Sequence, residues 1–179
     1  QVYLLGKKKK KELFKPIENI IHPVRIQLIH KELKASQLIG KTQDGKHIYL
    51  FDYQSNSSVM REIGRLRELS FRQVQEGTGN SLDIDGYDRY YRHLILWDED
   101  ELEIIGSYRI GEAAKILREY GEAGLYTNSL FKFNQAFIPY LENAIELGRS
   151  FIQPRYQGKR SLDYLWYGIG AYLCQHPQI

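Results

Sequence analysis

Within sixteen positions near the end of the chain stand a carboxylate, an arginine and a run of basic residues: Glu146, Arg149, Arg155, Lys159 and Arg160, with Gly158 inside the run and Ser161 closing it. A positioned carboxylate can accept a proton from an amine, directly or through water. A planar guanidinium can grip a second carboxylate through two parallel hydrogen bonds. The basic run implies different chemistry. The first turn of a helix carries positive partial charge and unpaired N–H donors, so Arg155, Lys159 and Arg160, placed before a helix that opens at about Ser161, repel until an anion arrives. A phosphate or pyrophosphate is the guest such a loop would take.

These groups must be held by particular elements. The residues around Glu146 predict a buried strand, followed by a turn at Pro154 and an apolar helix from about residue 161. A spacing of three puts Glu146 and Arg149 on opposite faces of a regular strand, but a bulge near Gly148 would turn both toward one cleft. Glu146 has a second reading, as the partner of an arginine inside the fold. Upstream, residues 76–88 are rich in Gly, Asn, Ser and Asp and read as a long loop carrying Asp83, Asp85 and Asp88, a form that is often functional inside a compact domain. Arg109 joins Arg149 as a candidate for gripping a carboxylate; either could instead be a structural partner of Asp85 or Asp88.

Metal chemistry is not expected. The aspartates lack the ligand series and terminal glutamate of a calcium loop, and His22, His30, His47 and His93 show no paired ligand spacing. His93, at the start of a strand, is expected to make hydrogen bonds in the core or at its rim. Cys174, the one cysteine, lies in an apolar helical stretch and reads as a buried structural thiol.

Apolar periodicity supplies the frame. A helix is expected over 24–37 with Ile26, Ile29 and Leu33 on one face, then a hairpin of strands 38–42 and 47–53 about Asp44-Gly45. Ser57 or Ser58 caps a helix whose Val59, Ile63, Leu66 and Ser70 share a face, leaving Arg65, Arg67 and Arg72 elsewhere. Strands over 93–97 and 103–110 precede a helix over 112–120 that leaves through Gly121 and Gly124. Residues 131–140 are aromatic and irregular, and a short helix there would wall a pocket. Trp166 is read as core, with Leu162, Leu165 and Ile169. Aromatic packing accounts for most of the fourteen tyrosines and seven phenylalanines, some of which could line an acyl tunnel.

The 179 residues, 42% of them hydrophobic, can build one core, and no apolar run approaches the roughly 18 to 20 residues that span a bilayer. With no signal peptide visible, the expected location is the cytoplasm. The net charge of +3 is uneven, +7 over residues 1–50 and −4 over the rest. The lysine run at 7–11 reads as a solvated segment or as a patch meeting anionic lipid at the inner membrane face. Nucleic acid is not expected, because aromatics do not interleave with the basic residues.

Six blocks in order carry a resemblance: Arg67-Glu68-Leu69-Ser70-Phe71-Arg72, Asp83-x-Asp85-x-x-Asp88, Tyr91-Arg92-His93-Leu94, Gly106-Ser107-Tyr108-Arg109, the run from Glu146 to Pro154, and Leu165-Trp166-Tyr167-Gly168-Ile169. Together, over about 58–173, they resemble the GNAT acyltransferase superfamily, and within it the ornithine and related amino-acid N-acyltransferases, often catalogued as hemolysin-like, with acyl-homoserine-lactone synthases as cousins. Arg155 and Gly158 match the superfamily's Arg-x-x-Gly-x-Gly/Ala loop; Arg160 replaces its last small residue.

The resemblance implies an α/β (α+β) fold with a mixed, mostly antiparallel sheet flanked by helices. It divides the chain into a basic linker and helix segment over 1–37 and a GNAT-like domain over 38–179, with the C-terminal strands missing. It implies catalytic roles for Glu146 and Arg149, acceptor contacts from Arg67, Asp85, Asp88 and Arg109, and donor-phosphate contacts from Arg155, Gly158, Lys159, Arg160 and Ser161. It further implies no tightly bound cofactor, but an acyl-phosphopantetheine donor carried by acyl carrier protein or by coenzyme A. The implied reaction moves a 3-hydroxyacyl chain to the α-amine of an amino acid, ornithine first and glycine second, giving a lyso-aminolipid. A sheet lacking its last strand would invite self-association through the open edge. Two readings of other classes stand beside this one: a non-catalytic module that keeps the anion loop, and a membrane-lytic protein, ranked last because no long amphipathic or apolar element is present.

Overall fold

The computed structural model describes residues 16–179; the lysine run at 7–11 lies outside them. The sequence punctuates itself into a meander of five strands: β1 (Gln37–Lys41), β2 (His47–Asp52), β3 (Arg92–Asp98), β4 (Glu103–Glu112) and β5 (Ile145–Ile152). They lie in chain order, each antiparallel to the next. Gly45 takes the left-handed conformation that the β1–β2 turn requires, with φ +80°. β2 and β3 are buried on both faces, so their alternate residues feed two cores.

On one face Tyr49, Phe51, Ile95 and Trp97 pack against α1 (Ile26–Lys34) and α2 (Ser58–Gln73). On the other, Ile48, Leu50, Leu94 and Leu96 pack against α4 (Ser161–Gln175). Near the end of β4, α3 (Ala113–Tyr120) adds Ala113 and Ile116 to a third cluster with Tyr91, Leu125 and Leu141. The start of α2 is closed by two residues. Ser57 Oγ accepts from the Met60 N–H at 3.1 Å, and Glu32 of α1 accepts from Ser57 Oγ and from the Ser58 and Val59 N–H groups at 2.6–3.0 Å. A carboxylate in that place opposes the positive end of the helix and ties α1 to it.

Several expectations change. α1 is shorter than the apolar pattern indicates, and Ile26 is exposed while Ile29 and Leu33 are buried. Trp166 is 54% exposed and Leu162 also faces out, because Leu165, Gly168, Ile169 and Tyr172 already form the buried stripe of α4. Gly168 sits so close to the sheet that a Cβ there would lie 2.8 Å from Ile48. Cys174 is exposed. β5 is a half-buried strand whose one fully buried residue is Phe151, since it borders the sheet with β4 as its only sheet partner among the described residues. Over 131–140, Phe131, Phe137 and Tyr140 are exposed, but the segment runs into a short 3-10 helix (Ile138–Asn143) whose Ile138, Glu142 and Asn143 line a cavity with Leu117 and Arg118. No helix among the described residues is long and apolar enough to cross a membrane.

Candidate active site

The face of the sheet under α2 carries charge as well as hydrocarbon. Arg67 lies one turn beyond Ile63 on α2 and is completely buried, not turned outward as the apolar pattern suggested. Its Nη1 donates to Asp88 Oδ1 at 2.8 Å, and its Nη2 lies 3.3 Å from Nδ1 of His93 on β3. Asp88 is held by a reciprocal cap: Asp85 Oδ1 accepts from the Tyr87 and Asp88 N–H groups at 2.9 and 3.2 Å, while Asp88 Oδ2 accepts from the Asp85 N–H at 2.8 Å. Arg109, which pairs with His93 across β3 and β4, reaches Asp85 at 2.7 Å and Asp88 at 3.4 Å. Arg149 of β5 lies 3.6 Å from both Asp83 and Asp85. Three arginines and three aspartates from two helical segments, a loop and two strands thus meet in one cluster.

Burial and charge act against each other here. Burial pushes the Asp88 carboxyl up, but the Arg67 guanidinium, together with the Asp85 N–H bond and Arg109, outweighs that and holds it below the usual carboxylate range. At Asp83 burial dominates over the pull of Arg149 and Arg67, and the carboxyl is raised. Burial, with Arg67 next to it, lowers His93 to about 4. His93 is therefore neutral at neutral pH, accepting from Arg67 at Nδ1 and donating from Nε2 to the Asp88 carbonyl at 3.2 Å. The hydrogen-bonding role expected for it is the one it has.

Aromatic rings complete the shell. The Arg109 guanidinium lies 5.0–5.5 Å from the ring centres of Tyr87, Tyr91 and Tyr126, and that of Arg149 lies 5.5 Å from Tyr126. Such faces attract a cation without taking its hydrogen bonds. Arg109 Nε and Nη2 and Arg149 Nε are buried and have no hydrogen-bond partner in the structure. These N–H groups can serve a carboxylate.

β5 has the bulge that the spacing of Glu146 and Arg149 calls for. Arg109 pairs with Gly148 and Ser107 with Phe151, so Tyr108 of β4 faces two residues, Arg149 and Ser150. Arg149 takes φ +48° there. The extra residue rephases the strand, and Glu146 and Arg149 both reach Tyr126, Glu146 at its N–H and Arg149 at its ring. Glu146 does not pair with an arginine. Its Oε2 accepts from the Tyr91 hydroxyl and from the Tyr126 N–H at 3.1 Å; its Oε1 accepts from the Thr127 hydroxyl and from the Thr127 N–H at 2.5 Å. Burial and the adjacent Glu146 drive the Tyr91 hydroxyl far above the usual tyrosine range, so it stays a donor. Tyr126 and Thr127 escape sequence reasoning because they lie in irregular chain after α3, where no periodicity or motif marks them.

The basic loop lies at the other end of β5. Arg155 pairs with Glu103, approaches Glu101 at 3.7 Å and sits against the Tyr156 ring. Lys159 and Arg160 lie over the rings of Tyr156 and Tyr164, and Gly158 takes φ +75°. Ser161 is buried, and its hydroxyl donates to the Tyr156 carbonyl at 3.3 Å. The side chain of Arg160, which precedes α4, does not cap its first turn. A cavity of about 650 Å³ opens beside it, lined among others by Lys46, Asp98, Arg155, Tyr156, Lys159 and Arg160. The expected site residues therefore fall into two groups joined by one strand. Arg149, Arg109, Arg67, Asp85 and Asp88 gather under α2, with Glu146 joined to them through Tyr126, whereas Arg155, Gly158, Lys159, Arg160 and Ser161 surround the start of α4.

A meander whose bulged strand leads into a glycine-containing basic loop and a helix is what the motif blocks imply, and the chain belongs to the acetyltransferase (GNAT) domain family, whose model matches residues 66–167. Among individual proteins it is similar to a glycine N(alpha)-acyltransferase of Bacteroides thetaiotaomicron, 40% identical over 178 residues covering 91% of this chain and 52% of the relative. A glycine N(alpha)-acyltransferase of Phocaeicola vulgatus is 37% identical over 91% of this chain and 54% of its own length. An L-ornithine N(alpha)-acyltransferase of Agrobacterium fabrum is 30% identical over 62% of this chain and 39% of its own length. The chain spans about half the length of these two glycine-named relatives. No solved structure matches.

Proposed function

We propose that this chain carries the acyl-transfer site of an amino-acid N-acyltransferase that takes a 3-hydroxyacyl chain from the phosphopantetheine arm of acyl carrier protein and joins it to the α-amine of glycine. The observation that carries this reading is the β5 bulge, which sets Glu146 and Arg149 on one side of the strand, with the unpartnered N–H groups of Arg109 across from them. Arg109 and Arg149 hold the acceptor's carboxylate, and Glu146 is the final proton acceptor for its amine. Lys159, Arg160 and the first turn of α4 hold the donor phosphate, which brings the thioester to the strand.

Glycine is favoured over ornithine on two grounds. The glycine-named relatives are more similar over more of the chain. In addition, Asp83, Asp85 and Asp88 are matched in number by Arg67, Arg109 and Arg149, so the cluster presents no net negative charge to a cationic side chain. The product would be a lyso-aminolipid, formed where a soluble carrier meets the inner face of the membrane.

The test supplies the full-length protein with acyl-carrier-protein and coenzyme A donors and with glycine or ornithine, and reads products by mass spectrometry. N-acylglycine formed faster from the carrier-protein donor is expected. Faster turnover of ornithine would overturn the acceptor, equal or better use of acyl-coenzyme A the donor, and no N-acyl product the whole reading.

A further inference from the structure

The hydrogen bonds of Glu146 pose a question for any proton transfer to it. A carboxylate offers about four lone-pair sites, and four donors occupy them. An incoming ammonium has no open site to bind directly. Two of the four donors are backbone N–H groups of Tyr126 and Thr127, which cannot pass a proton on. The remaining two are hydroxyls, which can accept one proton while giving up another.

The two hydroxyls are not equivalent. Tyr91 is only 2% exposed, and its oxygen already accepts from the Tyr126 N–H at 3.1 Å and faces the Gly124 carbonyl. Thr127 is half-buried, and among the described residues its hydroxyl has Glu146 as its one hydrogen-bond partner, which uses its donor and leaves its lone pairs free. It directly follows Tyr126, whose ring lies against both Arg109 and Arg149. An α-amino acid carries its amine on the carbon next to the carboxylate, so a carboxylate held by those arginines presents its amine beside this segment.

We propose that Thr127 is the proton-relay residue between the acceptor's amine and Glu146, an inference that rests on reading Glu146 as the base. The ammonium gives a proton to Thr127 Oγ as the hydroxyl proton passes to Glu146, so Thr127 is unchanged and Glu146 becomes a neutral acid. The freed amine attacks the thioester carbonyl; the C–N bond forms, the C–S bond breaks, and the leaving sulfur takes the remaining surplus proton from nitrogen. Glu146 then returns its proton to solvent.

The experiment compares full-length wild type, Thr127→Val and Thr127→Ser, with melting curves to establish folding. Valine keeps the shape and the backbone N–H bond to Glu146 but has no hydroxyl; serine keeps the hydroxyl. Loss of the relay is expected to lower kcat of Thr127→Val by about 100-fold, within the usual contribution of general acid–base catalysis. Its kcat/KM for the amino acid should rise about tenfold per pH unit through neutrality, because only amine already neutral in solution can react, while Thr127→Ser keeps the wild-type profile. A folded Thr127→Val with wild-type kcat, or equal losses in both variants with an unchanged pH profile, would overturn the relay and leave the functional reading intact. A wild-type protein that forms no N-acyl amino acid would overturn that reading and the relay with it.

Discussion

Replacing Asp88 with alanine should strike the buried cluster at its centre. Asp88 is fully buried, and its Oδ1 accepts from Arg67 at 2.8 Å and lies 3.4 Å from Arg109, while its Oδ2 caps the Asp85 N–H. Alanine leaves Arg67, also 0% exposed, with no carboxylate, whereas Arg109 retains Asp85. Removing one partner of a buried pair costs about 3–5 kcal/mol, and losing the cap adds about 1 kcal/mol. A loss of about 4–6 kcal/mol is a large share of the roughly 5–15 kcal/mol that stabilises a domain, and corresponds to a fall in Tm of roughly 8–24 °C. Urea titration would measure it, with Asp52→Ala as the control. That aspartate meets Arg92 at 2.7 Å but is 70% exposed on its side chain, so its removal should cost about 1 kcal/mol or less. Adding Arg67→Met to Asp88→Ala removes the stranded charge and should recover part of the loss. An Asp88→Ala protein no less stable than Asp52→Ala would refute the view that this cluster is a dry, mutually dependent network.

Further outcomes follow from other residues. His93 is lowered to about 4 in the fold from about 6.5 in the unfolded chain, so the unfolded state binds the extra proton between those values and stability should fall as pH drops from about 6.5 to about 4. His93→Gln should flatten that slope relative to the parent; the raised Asp83 works in the opposite sense and is common to both proteins. At Gly106 a Cβ would lie 2.4 Å from the Phe151 carbonyl oxygen, so Gly106→Ala must push β5 from β4 and should cost about 1–3 kcal/mol in urea. In the full-length protein, Lys159→Ala with Arg160→Ala should raise KM for the acyl donor severalfold while leaving the acceptor KM and the melting temperature nearly unchanged, since both side chains are exposed. Arg149→Ala should chiefly raise the acceptor's KM, as steady-state rates across acceptor concentration would reveal.

Much of the frame was legible because it rests on local rules. Asp44-Gly45 marks a hairpin, Ser57 marks a helix start, and alternating apolar residues mark β3 and β4. The candidate residues were legible as types and spacings, including the need for a bulge between Glu146 and Arg149. Their partners were not. Arg67 looks like a surface residue on a helix that also carries Arg65 and Arg72, and only Asp88, 21 positions away, makes its burial tolerable. Trp166 misleads for the opposite reason: α4 is apolar on nearly every side, so hydrophobicity does not say which side meets the sheet. The clamp on Glu146 joins β5 to Tyr126 and Thr127 across about twenty residues of irregular chain, where no periodic signal exists.

The place where the left-handed backbone falls in β5 ties these points together. Gly148 would tolerate positive φ without strain, yet the bulge puts it on its neighbour, Arg149, at a cost of about 1–3 kcal/mol. Space is not the reason, since a Cβ at Gly148 would meet nothing within 4 Å. Register is. Gly148 is paired with Arg109 on one side of the irregularity and Phe151 with Ser107 on the other, so the extra residue must be accommodated between them. The bulge reverses the alternation of the strand: Ile145 and Leu147 before it meet the core under α4, whereas after it Phe151 enters the core under α2 and Ile152 the core under α4. Arg149 turns with Phe151 to the side of α2, and its contacts with Asp83, Asp85 and Tyr126 are the compensation. The strain therefore turns one guanidinium toward the ring of Tyr126, whose N–H Glu146 holds, and returns Ile152 to the core under α4, which is how a single strand can serve an acid-and-arginine cluster at one end and an anion loop at the other.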